Sequence, residues 1–211
     1  MRRPGSATTD SDVFVANVDD LLAGLEQPRN ITNSWTEIDG RRIRIADDPD
    51  WSPDGQGIVF TAHDVGDEGP NYPSPPFISN SAELYVLNAD GTGTSKRLTH
   101  NNEEERAPAW SPDGTRIVFS GRIGGGRADF EICVMNADGS GLVQLTDNSL
   151  PDLTATYSPD GQQIVFNSTL VPGSGQPQLF MMNADGSQLR QLTFPPGINL
   201  VANWGELRVR G

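Results

Sequence analysis

Only one cysteine, Cys133, stands in the 211 residues, so no intrachain disulfide framework is available. Histidine is nearly as scarce, with His63 and His100 the whole supply. The chain has no His-Glu-x-x-His, no paired Cys-x-x-Cys and no Gly-x-Ser-x-Gly elbow, which leaves little room for a zinc site or a hydrolase triad. Basic residues are outnumbered: 15 Lys and Arg against 28 Asp and Glu give a formal charge of −13. That field repels phosphate backbones and anionic membrane surfaces, so nucleic acid is not an expected partner, whereas cations and basic proteins are favoured. No apolar run reaches the roughly 18 residues of a spanning helix, so membrane insertion is not expected. The start, Met1-Arg2-Arg3-Pro4-Gly5-Ser6, also lacks the apolar stretch of a secretory signal. Apolar residues make up 35% of the chain, a balance that short strands punctuated by 23 glycines and 16 prolines would give.

What is present is a repeat. Trp51-Ser52-Pro53-Asp54-Gly55 returns as Trp110-Ser111-Pro112-Asp113-Gly114 and as Tyr157-Ser158-Pro159-Asp160-Gly161, with a degraded copy at Trp204-Gly205. An apolar triplet follows each complete copy: Ile58-Val59-Phe60, Ile117-Val118-Phe119 and Ile164-Val165-Phe166. A second motif, Asn88-Ala89-Asp90-Gly91, recurs at Asn136 and Asn183 and, worn, as Asn17-Val18-Asp19-Asp20. A Leu-Thr or Ile-Thr pair comes after each, ending at Thr32, Thr99, Thr146 and Thr193. Proline fixes φ and Asp-Gly supplies a side-chain hydrogen bond and a positive φ, so both motifs read as tight turns between strands. One repeat then holds four short antiparallel strands in about 47 residues, the size of a propeller blade.

The spacing fixes the register. Thr99 to Trp110, Thr146 to Tyr157 and Thr193 to Trp204 are each 11 residues apart, while Thr32 to Trp51 spans 19. The longer first connection holds Trp35 to Gly40 and Ile43-Arg44-Ile45, which read as an extra hairpin. The expected fold is therefore all-β: a β-propeller of four-stranded antiparallel blades, residues 12–211, after a tail at 1–11. Blade repeats fall near 46–99, 105–146 and 152–193. A composite blade from both termini, 12–32 plus 199–210, would close a four-bladed ring; the alternative is a portion of a larger propeller.

Trp110-Ser111-Pro112-Asp113-Gly114, Ile117-Val118-Phe119 and Asn136-Ala137-Asp138-Gly139-Ser140-Gly141 with Leu145-Thr146 resemble the blade signature of the TolB-type propeller repeat. The resemblance runs from about residue 12 to residue 210. It implies a propeller fold and, by the company such repeats keep, one of several settings: periplasmic accessory propellers that bind proteins, propeller domains attached to serine peptidases, or exported bacterial proteins. It also suggests a periplasmic or extracellular location.

Strand alternation puts the Ser-Pro-Asp-Gly and Asn-Ala-Asp-Gly turns on one plain face. The longer and more varied connections, near 62–82, 121–128 and 168–177 within blades and 100–107, 147–154 and 194–200 between them, fall on the other. Variable loops on a rigid frame are where binding usually sits. The leading expectation is a non-catalytic scaffold that binds a protein partner, or a second copy of itself, through the long-loop face. Tyr72 and Phe77 are candidate apolar contacts and Glu103 and Glu104 candidate polar ones. The alternative is a propeller that binds calcium, magnesium or a small ligand such as a carbohydrate in an acidic channel. Its candidate metal ligands are Glu105, Asp152 and Asn199, at equivalent inner-strand positions, with Asp48 nearby. A carboxylate- or metal-dependent lyase or hydrolase is a third possibility. Two other signals carry no chemistry: Gly124-Gly125-Gly126 does not open a helix, and Cys133 reads as a buried strand residue.

Overall fold

The computed structural model describes residues 11–32, 37–38, 41–64, 82–101, 103–123, 129–169 and 176–194. A short pair comes first, β1 (Phe14–Val15) and β2 (Arg29–Asn30), with α1 (Val18–Leu22) between them. Blade 1 follows as β3 (Glu37–Ile38), β4 (Arg41–Trp51), β5 (Gly57–Asp64), β6 (Ala82–Asn88) and β7 (Lys96–Arg97). Blade 2 holds β8 (Glu105–Trp110), β9 (Arg116–Gly121), β10 (Glu131–Asn136) and β11 (Val143–Gln144). Blade 3 holds β12 (Asp152–Tyr157), β13 (Gln163–Ser168), β14 (Gln178–Asn183) and β15 (Arg190–Gln191). Strands lie in sequence order within each sheet, and the strand pairings within the sheets are antiparallel. The extra hairpin is β3 on β4, with Ile38 opposite Arg41. Residues 199–210, on which ring closure depends, lie outside the described residues.

The turns follow from side-chain chemistry. In each Ser-Pro-Asp-Gly turn the serine hydroxyl donates to the aspartate at 2.6 Å, as in Ser52 to Asp54, Ser111 to Asp113 and Ser158 to Asp160. Each aspartate also accepts the N–H two residues on, and this anchoring holds the exposed carboxyls below their ordinary range, Asp113 at about 2. The Asn-Ala-Asp-Gly turns do the same with Thr92, Ser140 and Ser187. One of their glycines is required twice over. Gly139 has φ +89°, and a Cβ there would stand 2.7 Å from the Leu98 carbonyl of the preceding blade. The worn copy near the start lacks this glycine. Asn17 instead caps α1 by accepting the N–H groups of Asp19 and Asp20, so a short helix replaces the expected turn.

Alternation along the strands packs blade against blade. Ile117, Phe119, Cys133 and Met135 of blade 2 meet Val59, Leu84 and Leu98 of blade 1. Val118, Ile132 and Val134, on the opposite side of the same sheet, meet Ala155, Tyr157, Ile164, Phe166, Phe180 and Met182 of blade 3. Ile58, Phe60 and Tyr85 pack on Val13, with Val15 and Ile31 at the edge. Each such buried side chain contributes about 1.5–3 kcal/mol. The apolar triplets are thus the joints between blades.

Each innermost strand carries a bulge three residues before its motif aromatic. Asp48, Ala107 and Thr154 have φ of +50°, +48° and +50° at the three register shifts. Between blades 1 and 2 the bent strands are tied by carboxylates: the Ala107 N–H donates to Asp48 Oδ2 (3.2 Å) and the Trp110 N–H to Asp50 Oδ2 (2.8 Å).

Candidate functional site

At the long-loop end, blades 1 and 2 are each latched to the next blade by the threonine-to-asparagine segment that follows the outer strand. Thr99 Oγ1 accepts the Leu84 N–H (2.9 Å) and donates to Glu105 Oε2 (3.0 Å). Asn101 donates to Glu105 Oε1 (2.6 Å), so the last strand of blade 1 grips the first strand of blade 2. One blade on, Thr146 accepts the Ile132 N–H (2.9 Å) and donates to Glu131 Oε2 (2.7 Å). Asn148 there donates to Asp152 Oδ2 (2.8 Å) and through its backbone N–H to Glu131 Oε1 (2.8 Å). Thr32 binds the Val13 N–H and Asp12, and Thr193 binds the Leu179 N–H, each within its own sheet. The signal for this latch is Thr-x-Asn, present as Thr99-His100-Asn101 and Thr146-Asp147-Asn148.

The latch places two of the candidate metal ligands. Glu105 and Asp152 occupy equivalent positions at the starts of β8 and β12, and both are fully buried. Burial pushes the Glu105 carboxyl up to about 7 against the pull of Asn101, and the neighbouring Glu83 charge pushes the same way. Glu83 itself is raised by burial, although Arg97 donates to it and Arg97 Nε binds the Thr99 carbonyl at 2.6 Å. Asp152 and Glu131 are likewise raised by burial. Asp48 is exposed and accepts the Ala107 N–H. Asn199 lies outside the described residues. Among the described residues no three His, Cys, Asp or Glu side chains gather as a metal-holding group.

Of the candidate contact residues, Tyr72 and Phe77 lie outside the described residues. Glu103 is half-buried, with its N–H on Asn101 Oδ1 (2.8 Å). Glu104 is the hub of a cluster that sequence reasoning missed. Arg106 pairs with it, Arg122 Nη1 lies 3.1 Å from its Oε2, and the Arg122 N–H donates to its carbonyl. Both guanidiniums lie over the Phe130 ring, Arg122 at 4.5 Å and Arg106 at 5.8 Å from its centroid. Their side chains remain 44% and 37% exposed for Arg106 and Arg122, so an aromatic-backed arginine pair stands at the rim. His63 lies on β5 rather than in a loop, buried, with its pKa lowered chiefly by burial. Cys133 is buried between blades 1 and 2, its thiol pushed up to about 12 by burial.

The TolB beta propeller domain family matches residues 76–207. The chain belongs to that family. It is 31% identical over 94 residues to the uncharacterized peptidase YuxL of Bacillus subtilis, covering 44% of this chain and 12% of that protein. Among solved structures, TolB from Acinetobacter baumannii superposes with a TM-score of 0.59 at 24% identity, over 83% of this chain and 37% of its own. An oligogalacturonate lyase in complex with manganese superposes with a TM-score of 0.60 at 17% identity, over 86% of this chain and 49% of its own. These superpositions establish the propeller fold alone. The chain spans about half or less of each protein it matches, and the family match includes all of blades 2 and 3.

Proposed function

We propose that this propeller is a binding scaffold that presents its long-loop rim to a protein partner or to a second copy of the chain. The observation that carries the reading is the Glu104, Arg106, Arg122 and Phe130 cluster. It stands at the ends of β8, β9 and β10, beside the buried bonds of Thr99 and Thr146, and it offers two half-exposed guanidiniums with little conformational freedom left to lose. Arginines ordered in this way are a common source of binding energy at interfaces, because their ordering cost is met before a partner arrives. The acidic charge of −13 favours a partner with basic surface around whatever acidic or carbonyl groups meet the arginines.

The test is the double variant Arg106→Glu, Arg122→Glu, compared with the parent chain by sedimentation velocity for self-association and by chemical cross-linking with partners captured by the parent. Loss of association by tenfold or so is expected. If every association of the parent survived in the variant, the rim would not be the interface. A second setting is favoured by the match to a peptidase: the propeller as one module of a longer hydrolase, its rim turned to the attached domain. In that setting the variant would lower kcat/KM on peptides without changing free association.

A further inference from the structure

A groove of about 740 Å³ opens on the plain face, between blades 1 and 2. Asp54, Gly57, Val86, Lys96, Trp110 and Asp113 line it. The joint between blades 2 and 3 has the equivalent groove, but it holds only about 400 Å³. The repeat alignment shows what differs: Trp110 is matched by Tyr157, Asp54 and Asp113 by Asp113 and Asp160, and Gly57 by Arg116. In the second groove Arg116 is part of the lining, and its charge is near enough to Tyr157 to act on the phenol. That joint carries its own arginine in a groove walled by an aromatic residue, between two Asp-Gly turns. The first joint keeps the ring and both turns but lacks the guanidinium.

Gly57 is not held as glycine by its backbone. A Cβ there would make ordinary contacts, 3.4 Å to Ser52 Oγ and 3.7 Å to Val86 Cγ2, and its φ is not in the left-handed region. Its effect is to leave bare a position that carries a long side chain lining the groove one blade on. Two carboxylates flank that space, and both are kept ionised by their own turns: Asp54 by Ser52 and the Gln56 N–H, Asp113 by Ser111 and the Thr115 N–H. Lys96, the cation in the lining, donates to the Asp138 carbonyl at 2.8 Å and is thereby held toward the blade 2 turn. The buried Nε1 of Trp110 has no hydrogen-bond partner among the described residues.

We propose that the blade 1–2 groove is a binding site for an arginine side chain of a peptide or protein partner, which takes the place beside Trp110 that Arg116 takes beside Tyr157. The guanidinium lies between the Asp54 and Asp113 turns, and an aliphatic stem follows Val86. A planar cation suits an aromatic wall and paired carboxylates better than a lysine ammonium does. This site is on the opposite face from the rim proposed above and stands independently of it.

The experiment follows the Trp110 indole and Gly114 amide signals by NMR while N-acetyl-arginine amide, or its uncharged citrulline counterpart, is titrated into the full chain. Saturable shifts are expected with the arginine compound, and binding of the citrulline compound about tenfold weaker or worse. Gly57→Arg should abolish the response, since it gives blade 1 the residue that blade 2 already accommodates. Gly57→Gln, matching Gln163 of blade 3, serves as a second filled groove. No saturable shift up to about 20 mM arginine compound, equal shifts with citrulline, or an undiminished response in both Gly57 variants would each overturn the proposal.

Discussion

Replacing Glu105 with glutamine should change how stability depends on pH more than it changes the fold. The carboxyl rises from 4.5 to about 7 in the folded chain, chiefly because it is fully buried and then because Glu83 stands beside it. A raised acid favours the folded state only while it stays protonated. Below about pH 4.5 both states hold the proton and the group makes no difference. Between there and about pH 7 the unfolded chain releases the proton while the folded chain keeps it, so stability falls as pH rises. A shift of roughly 2.5 units corresponds to about 3 kcal/mol lost across that window. Glutamine keeps an oxygen for Asn101 and cannot ionise, so this component disappears. Glu83, Glu131 and Asp152 are raised in the same direction and remain in the variant, which is why the comparison must be between slopes. Urea denaturation of both chains at about pH 4.5 and about pH 8 measures it. The parent should lose about 3 kcal/mol more than Glu105→Gln over that interval. Parallel pH dependence in the two chains would show that Glu105 is not held protonated by its burial.

Two further outcomes check the turns and the blade joint. Gly139→Ala meets both a φ of +89° and the Leu98 carbonyl at 2.7 Å, so it should cost about 1–3 kcal/mol and lower the thermal midpoint; Gly114→Ala, with φ +71° and only Pro53 Cδ at 3.7 Å, should cost less. Cys133, buried with its thiol pushed up to about 12, should resist alkylation at pH near 8 in the folded chain and react fully in urea, as read by intact mass.

Turn chemistry is local, and for that reason it was legible. Serine, proline, aspartate and glycine at 52–55 determine a turn almost by themselves, and Ser52, Asp54 and Gln56 show the bonds that do so. The 11-residue spacing carried the rest of the frame, and the one connection that departs from it, 19 residues from Thr32 to Trp51, marked the extra hairpin that β3 makes with β4. The worn Asn17 motif was harder: without glycine the same asparagine caps a helix, and only the surrounding chain decides between the two.

The site was less legible because its bonds join residues that meet only when blades stack. The repeat register does put Glu105 and Asp152 at matching positions, but alternation says only which side of a strand a residue takes. It does not say that Thr99 and Asn101 of the preceding blade will close over Glu105, or Asn148 over Asp152. Arg122 and Phe130 fall seven and nine residues after Thr115 and Gly121, with nothing in the intervening sequence to announce that one ring will back two guanidiniums. The groove at Gly57 belongs to a third kind. The substitution of glycine for arginine is plain when the repeats are aligned, yet it acquires chemical meaning only once Trp110, contributed by the next blade, is seen to wall the space. In a repeat protein each joint is a variant of its neighbours. The joint that departs from the others is therefore where a ligand can take over a role that the chain fills for itself elsewhere.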